Sequence, residues 1–122
     1  MAVAHLGSIT VDCEDPTALA TFWADLLGGV IATGTEKFVS VKLQHLVLTA
    51  IRVPNYQPPS WPDESTPKQI HLDLAVADLD VAQAEAVRLG ARIADHQAAP
   101  AKCRVLFDPA GHPFCLCLSP AV

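Results

Sequence analysis

Two stretches of this chain, about 63 residues apart, pass through the same order of elements. Each begins with a strand, turns through an aspartate into an amphipathic helix, stops at glycine and continues into short strands. A repeat of this kind restricts the fold, because each copy must form one supersecondary unit. In the first copy, Ile9 and Val11 alternate with Ser8 and Thr10, which places a strand over Leu6–Asp12. Asp15 suits an N-cap and Pro16 the first helical position, where no N–H is needed. Leu19, Phe22, Trp23, Leu26 and Leu27 then follow helical spacing on one face, until Gly28-Gly29 ends the helix. Strands are expected near Val30–Thr33, Phe38–Leu43 and Leu46–Val53.

The second copy starts with a strand over Ile70–Val76, with Leu72 and Leu74 alternating against His71 and Asp73. Asp78 is the second N-cap. Leu79, Ala82, Ala86 and Leu89 form a helical face, and Gly90 closes it. Strands are expected at Arg92–Ala94, Cys103–Phe107 and Pro113–Leu118. Asp108-Pro109-Ala110-Gly111 between the last two has the residues of a type I turn, a hairpin signal. At this offset Ser8 falls on His71, Thr10 on Asp73, Asp15 on Asp78 and Leu26 on Leu89.

Between the copies, Pro54, Pro58, Pro59, Pro62 and Pro67 exclude a helix or a central strand. The sequence predicts an α+β fold of two βαβββ modules in a single domain spanning residues 1–122. Module 1 covers about residues 4–53, a linker residues 54–68 and module 2 about residues 69–119. Trp61 in the linker is a candidate ligand lid or dimer contact.

With 51 % hydrophobic and 17 % charged residues, the composition supports a core and argues against disorder. The net charge of −5 comes without a Lys/Arg cluster, so no nucleic-acid partner is expected. No apolar run is long enough to cross a membrane and no signal peptide is recognisable, which predicts a cytoplasmic protein. Cys13, Cys103, Cys115 and Cys117 form no Cys-x-x-Cys pair and are expected to be reduced, buried thiols.

Three segments carry a resemblance: Asp12-Cys13-Glu14-Asp15-Pro16, His71-Leu72-Asp73-Leu74 and Asp108-Pro109-Ala110-Gly111-His112-Pro113-Phe114. With the paired βαβββ pattern, they resemble the vicinal oxygen chelate superfamily, which includes glyoxalase I and the bleomycin-resistance proteins. The likeness is to its small actinobacterial-type glyoxalase-like branch. It implies sheets curved into a cup, helices outside and a ligand within. Leu72, Leu74, Ile9 and Val11 should then meet the helices, with Ser8, Thr10, His71 and Asp73 facing the ligand.

The resemblance also implies where metal ligands would stand in metal-using relatives: at Ser8, within Leu48–Ile51, at His71 and at Cys115 or Cys117. Only His71 is a usual ligand for such a site, so no catalytic metal is expected. The candidate ligand contacts are Ser8, Thr10, His71, Asp73, Cys115 and Trp61. The expected function is the metal-independent binding of a small organic molecule by a homodimer of resistance or carrier type. The alternative is a lyase, isomerase or dioxygenase, either metal-dependent or using His71 with Asp73 for proton transfer. A cup filled by its own side chains would leave only a structural dimer.

Overall fold

The computed structural model describes residues 1–119, in two compact units that meet in sequence at Tyr56 and Gln57. Unit 1 contains β1 (Ser8–Cys13), α1 (Pro16–Leu27), β2 (Val30–Gly34), β3 (Phe38–Lys42) and β4 (Val47–Arg52). Its sheet order is β1-β4-β3-β2, with β1 parallel to β4 and the other pairs antiparallel. Unit 2 repeats the plan with β5 (Leu72–Val76), α2 (Leu79–Leu89), β6 (Arg92–Ile93), β7 (Cys103–Phe107) and β8 (Pro113–Leu118). Its order is β5-β8-β7-β6, with β5 parallel to β8. The two-module α+β reading therefore holds.

The caps form as the sequence predicts. The Asp15 carboxylate accepts the Ala18 N–H at 3.1 Å, and Asp78 accepts that of Val81 at 3.0 Å. Gly28 takes the left-handed conformation at the end of α1, with φ 74°. On α1, Leu19, Phe22 and Trp23 are buried, and the Phe22 and Trp23 rings meet edge to face. Val39, Val41, Leu48 and Ala50 are buried on β3 and β4, the strands on which α1 packs.

In unit 2 the buried core consists mainly of Leu106, Phe114 and Leu116, closed by Leu79 and Ala86 of α2. Leu72 and Leu74 pair with Phe114 and Leu116 and so share their face, but are only half-buried. The reason is position: β5 is an edge strand, covered from one side, whereas β8 has neighbours on both.

Residues 57–68 of the proline-rich linker fold on themselves within unit 2. The Ser60 N–H donates to the Thr66 carbonyl at 2.7 Å, and the Asp63 carboxylate accepts from the Ser65 N–H at 2.9 Å and hydroxyl at 2.7 Å. Those bonds hold the Asp63 carboxyl below its ordinary pKa. Cys103 and Cys117, expected as thiols, form a disulfide. Antiparallel pairing sets them directly opposite each other, with Cα atoms 4.1 Å apart. Cys13 keeps a buried thiol, which donates to the Ile51 carbonyl at 3.4 Å.

The Asp108 turn fixes the register of β7 against β8. The Gly111 N–H donates to the Asp108 carbonyl at 2.8 Å, and the Asp108 N–H to the His112 carbonyl at 3.0 Å. The Asp108 carboxylate, only 4 % exposed, accepts from the N–H groups of Ala110 and His112 at 2.9 and 3.0 Å. Gly111 has φ 87°, and a Cβ there would lie 2.8 Å from Pro58 Cβ, so both backbone and packing require glycine.

Leu116→Ala is expected to destabilise the protein by about 2–5 kcal/mol, because it empties a fully buried site. Leu74→Ala should cost clearly less, since that side chain is already partly in water. Urea unfolding of the two variants beside the parent measures both.

Candidate functional site

The faces of the second sheet are set by register. Arg104 pairs with Leu116 on the helix side, where its guanidinium donates to Asp80 of α2 at 2.6 Å. This ion pair ties β7 to α2. Alternation then puts Cys103, Val105, Phe107, Asp73, Ala75, Cys115 and Cys117 on the opposite face. His71, just before β5, shares that side. Its Nε2 lies 3.1 Å from Asp73 Oδ1, with the two side chains 35 % and 39 % exposed.

Asp73 is the direct partner of Cys115 across the parallel β5–β8 pair. One ligand atom from each of His71, Asp73 and Cys115 lies within 4.8 Å of the others. The Cys115 thiol is half-buried and its pKa is raised, first by burial, then by the negative charge of Asp73 and a hydrogen bond to it. Lys68 acts in the opposite sense. The thiol is thus held protonated beside a carboxylate that also faces an imidazole. This group offers a hydrogen-bond donor, a strong acceptor and a ring nitrogen within one small area.

In unit 1 the corresponding face carries hydroxyls. Thr10 pairs with Thr49, and Thr49 with Ser40, whose hydroxyls are hydrogen-bonded at 3.0 Å. Ser8 has the same parity as Thr10, and Ile9 and Val11 pair instead with buried Leu48 and Ala50. No imidazole or carboxylate of β4 joins this face, because the residue there is Thr49. The four-donor metal arrangement implied by the resemblance therefore does not fit this chain.

Trp61 is packed against His96, with ring centroids 5.5 Å apart and planes tilted by 55°. His96 was not singled out in the sequence, where it lies in a segment without periodicity. Arg92 stacks over Phe107 at 4.4 Å from the ring centroid.

These are the features of a sheet face that can hold a small polar compound on a repeated βαβββ framework. Residues 8–117 match the model of the glyoxalase-like domain, and the chain belongs to that family, within the vicinal oxygen chelate superfamily. Its fold is similar to that of a glyoxalase-related enzyme from Fulvimarina pelagi (TM-score 0.70, 16 % identity, covering 97 % of this chain and 90 % of that one). It is similar to the fosfomycin resistance protein FosX from Mesorhizobium loti (TM-score 0.69, 13 % identity, 98 % and 95 % covered). It is also similar to the bleomycin-binding protein of Streptomyces verticillus, solved with copper(II)-bleomycin (TM-score 0.60, 19 % identity, 98 % and 99 % covered). No curated protein matches the sequence.

Asp73→Asn is expected to lower the Cys115 pKa, since it removes the carboxylate that disfavours the thiolate. Iodoacetamide should then modify Cys115 faster than in the parent at about pH 8, near the ordinary thiol range. In the parent, the raised value keeps the stability contribution of Cys115 intact below the unfolded-chain pKa. That contribution is lost as pH rises through the folded value. Peptide mass spectrometry of quenched time points follows the alkylation.

Proposed function

We propose that this protein binds a small organic molecule on the face of the second sheet that carries His71, Asp73 and Cys115, in the manner of resistance or carrier proteins. The observation that carries this reading is the polar trio itself. It places a donor, an acceptor and an imidazole side by side on the sheet face away from the helix. Ligand sites combine a few convergent polar groups with apolar walls, and Val105 and Ala75 supply apolar neighbours here. The solved relatives support the class, since one binds bleomycin and another is a fosfomycin resistance protein. The hydroxyl face of unit 1, with Ser8 and Thr10, is a second proposed contact surface, and Trp61 a third. We assign no resident catalytic metal, because the positions in unit 1 where metal-using relatives need stronger donors are held by the hydroxyl residues Ser8 and Thr49.

The His71–Asp73 contact at 3.1 Å supports a second reading, in which the pair moves a proton in a lyase or isomerase reaction. Thermal melting against a library of small natural products separates binding from a filled, structural face. A true ligand at about 100 times its Kd should add about 2.7 kcal/mol of stability. His71→Ala should melt close to the parent yet lose that shift. If no compound stabilises the parent, and His71→Ala unfolds as readily as Leu116→Ala, the trio is structural and the reading fails.

We further propose a homodimer. Val30 and Ile31 are exposed apolar residues on β2, which pairs with β3 on one side and forms the edge of its sheet on the other, a surface that a second copy would cover. Sedimentation at micromolar concentration should show about twice 13.0 kDa, and a sole species of 13.0 kDa overturns it.

A further inference from the structure

We infer that the compound taken by the second sheet is an organic acid, held at its anionic group by Arg92, with an apolar body lying across β7 and β8 and a hydrogen-bond donor at its far end that meets Asp73. The inference rests on the small-molecule reading of this face and names the class of compound that suits it. Register brings the groups together. Arg92 pairs with Phe107, and Phe107 with Pro113. Leu72 pairs with Phe114, so His71, one position earlier, stands beyond Pro113 at the other edge of the sheet. The neighbouring row on the same face runs from Val105 past Cys115 to Asp73.

One edge of the face therefore carries a cation, the other an imidazole and a carboxylate, and Phe107, Pro113 and Val105 form an apolar stretch between them. The guanidinium carbon of Arg92 lies over the Phe107 ring, 4.4 Å from its centroid, so the positive charge stands above β7. Two strand spacings, roughly 10 Å in all, separate β7 from β5. That interval suits a compound with its two polar groups at opposite ends of a short apolar body.

Arg92 is set apart from the other arginines of unit 2 by its partner. Arg88 is paired with Glu85 and Arg104 with Asp80. Among the described residues, Arg92 meets a ring and no carboxylate, and it is exposed. The ring steadies a side chain that would otherwise sample many rotamers, which lowers the entropy cost of gripping a ligand. A guanidinium so held still offers its N–H groups, which donate in parallel pairs to the oxygens of an acid. At the other edge the Asp73 carboxylate accepts hydrogen bonds, so a hydroxyl or amine is favoured there and a second anion is repelled. The face thus selects hydroxy or amino acids over neutral compounds and over diacids.

The test is an NMR titration of the full-length protein with p-hydroxyphenylpropanoate, which has a carboxylate and a hydroxyl at opposite ends of an apolar body, and with its carboxamide. The acid should shift the Arg92 Nε–H signal and the backbone amides of β5, β6 and β7. It should bind about 10- to 100-fold more tightly than the carboxamide, the loss expected when a charge-assisted hydrogen bond is removed. Arg92→Gln should bring the acid down to the affinity of the carboxamide and leave binding of the carboxamide unchanged. The diacid p-carboxyphenylpropanoate should bind the parent more weakly than the hydroxy acid, and Asp73→Asn should narrow that difference. Equal affinity of the acid for the parent and for Arg92→Gln overturns the inference, as does a diacid that binds as well as the hydroxy acid. Either result leaves the small-molecule reading standing, because a compound is still bound on this face. An acid that shifts no signal here also overturns the inference, and the melting experiment on the compound library then decides the small-molecule reading by itself.

Discussion

The buried carboxylate of Asp108 is the constraint on which the second unit depends. It satisfies two backbone donors inside a tight turn, and that turn fixes which residue of β7 faces which residue of β8. A slip of one position would invert the faces of one strand, because side chains alternate with period two. Phe114 and Leu116 would leave the core, and Cys115 would turn away from Asp73. Core and candidate site thus share a single determinant, four residues long, lying outside both.

The two units show what a repeat keeps and what it releases. Strand order, the parallel outer pair, the aspartate caps and the glycine stops are common to both. The helices differ: α1 buries Phe22 and Trp23, while α2 has only Leu79 and Ala86 fully covered. The faces away from the helices differ more. Hydroxyls of Thr10, Ser40 and Thr49 in unit 1 are answered by an imidazole, a carboxylate and sulfur in unit 2. Hydroxyls exchange hydrogen bonds without a change of charge, whereas the second set can gain or lose protons. The scaffold is duplicated and the chemistry is concentrated in one copy.

What was legible in the sequence is what short-range chemistry decides. Asp15 and Asp78 announce helix starts, Asp108-Pro109-Ala110-Gly111 a hairpin, and alternation in β1 and β5 separates one face from the other. Parity gives a face but not a depth: Leu72 and Leu74 share the helix-side face that alternation predicts, yet on edge strand β5 they are only half-buried. The Cys103–Cys117 bond was hidden for a related reason. It depends on hairpin register, and counting outward from the turn, Phe107 opposite Pro113, would have brought the two cysteines together. Cys115 could be named as a candidate contact, but its pairing with Asp73 joins strands about 40 residues apart, which no local pattern encodes. His96 gave no signal at all, because its partner Trp61 comes from the proline-rich segment.

The disulfide has a topological consequence. Cys103 and Cys117 are 14 positions apart, and their bond closes the β7–turn–β8 segment into a ring of chain. A single peptide bond cut anywhere in that ring yields one covalent molecule rather than two fragments. The central strand β8 would stay tethered to its neighbour, and the break would become visible only after reduction. Opening of the ring and separation of the chain are thus distinct chemical events, under the control of a protease and of a reductant respectively.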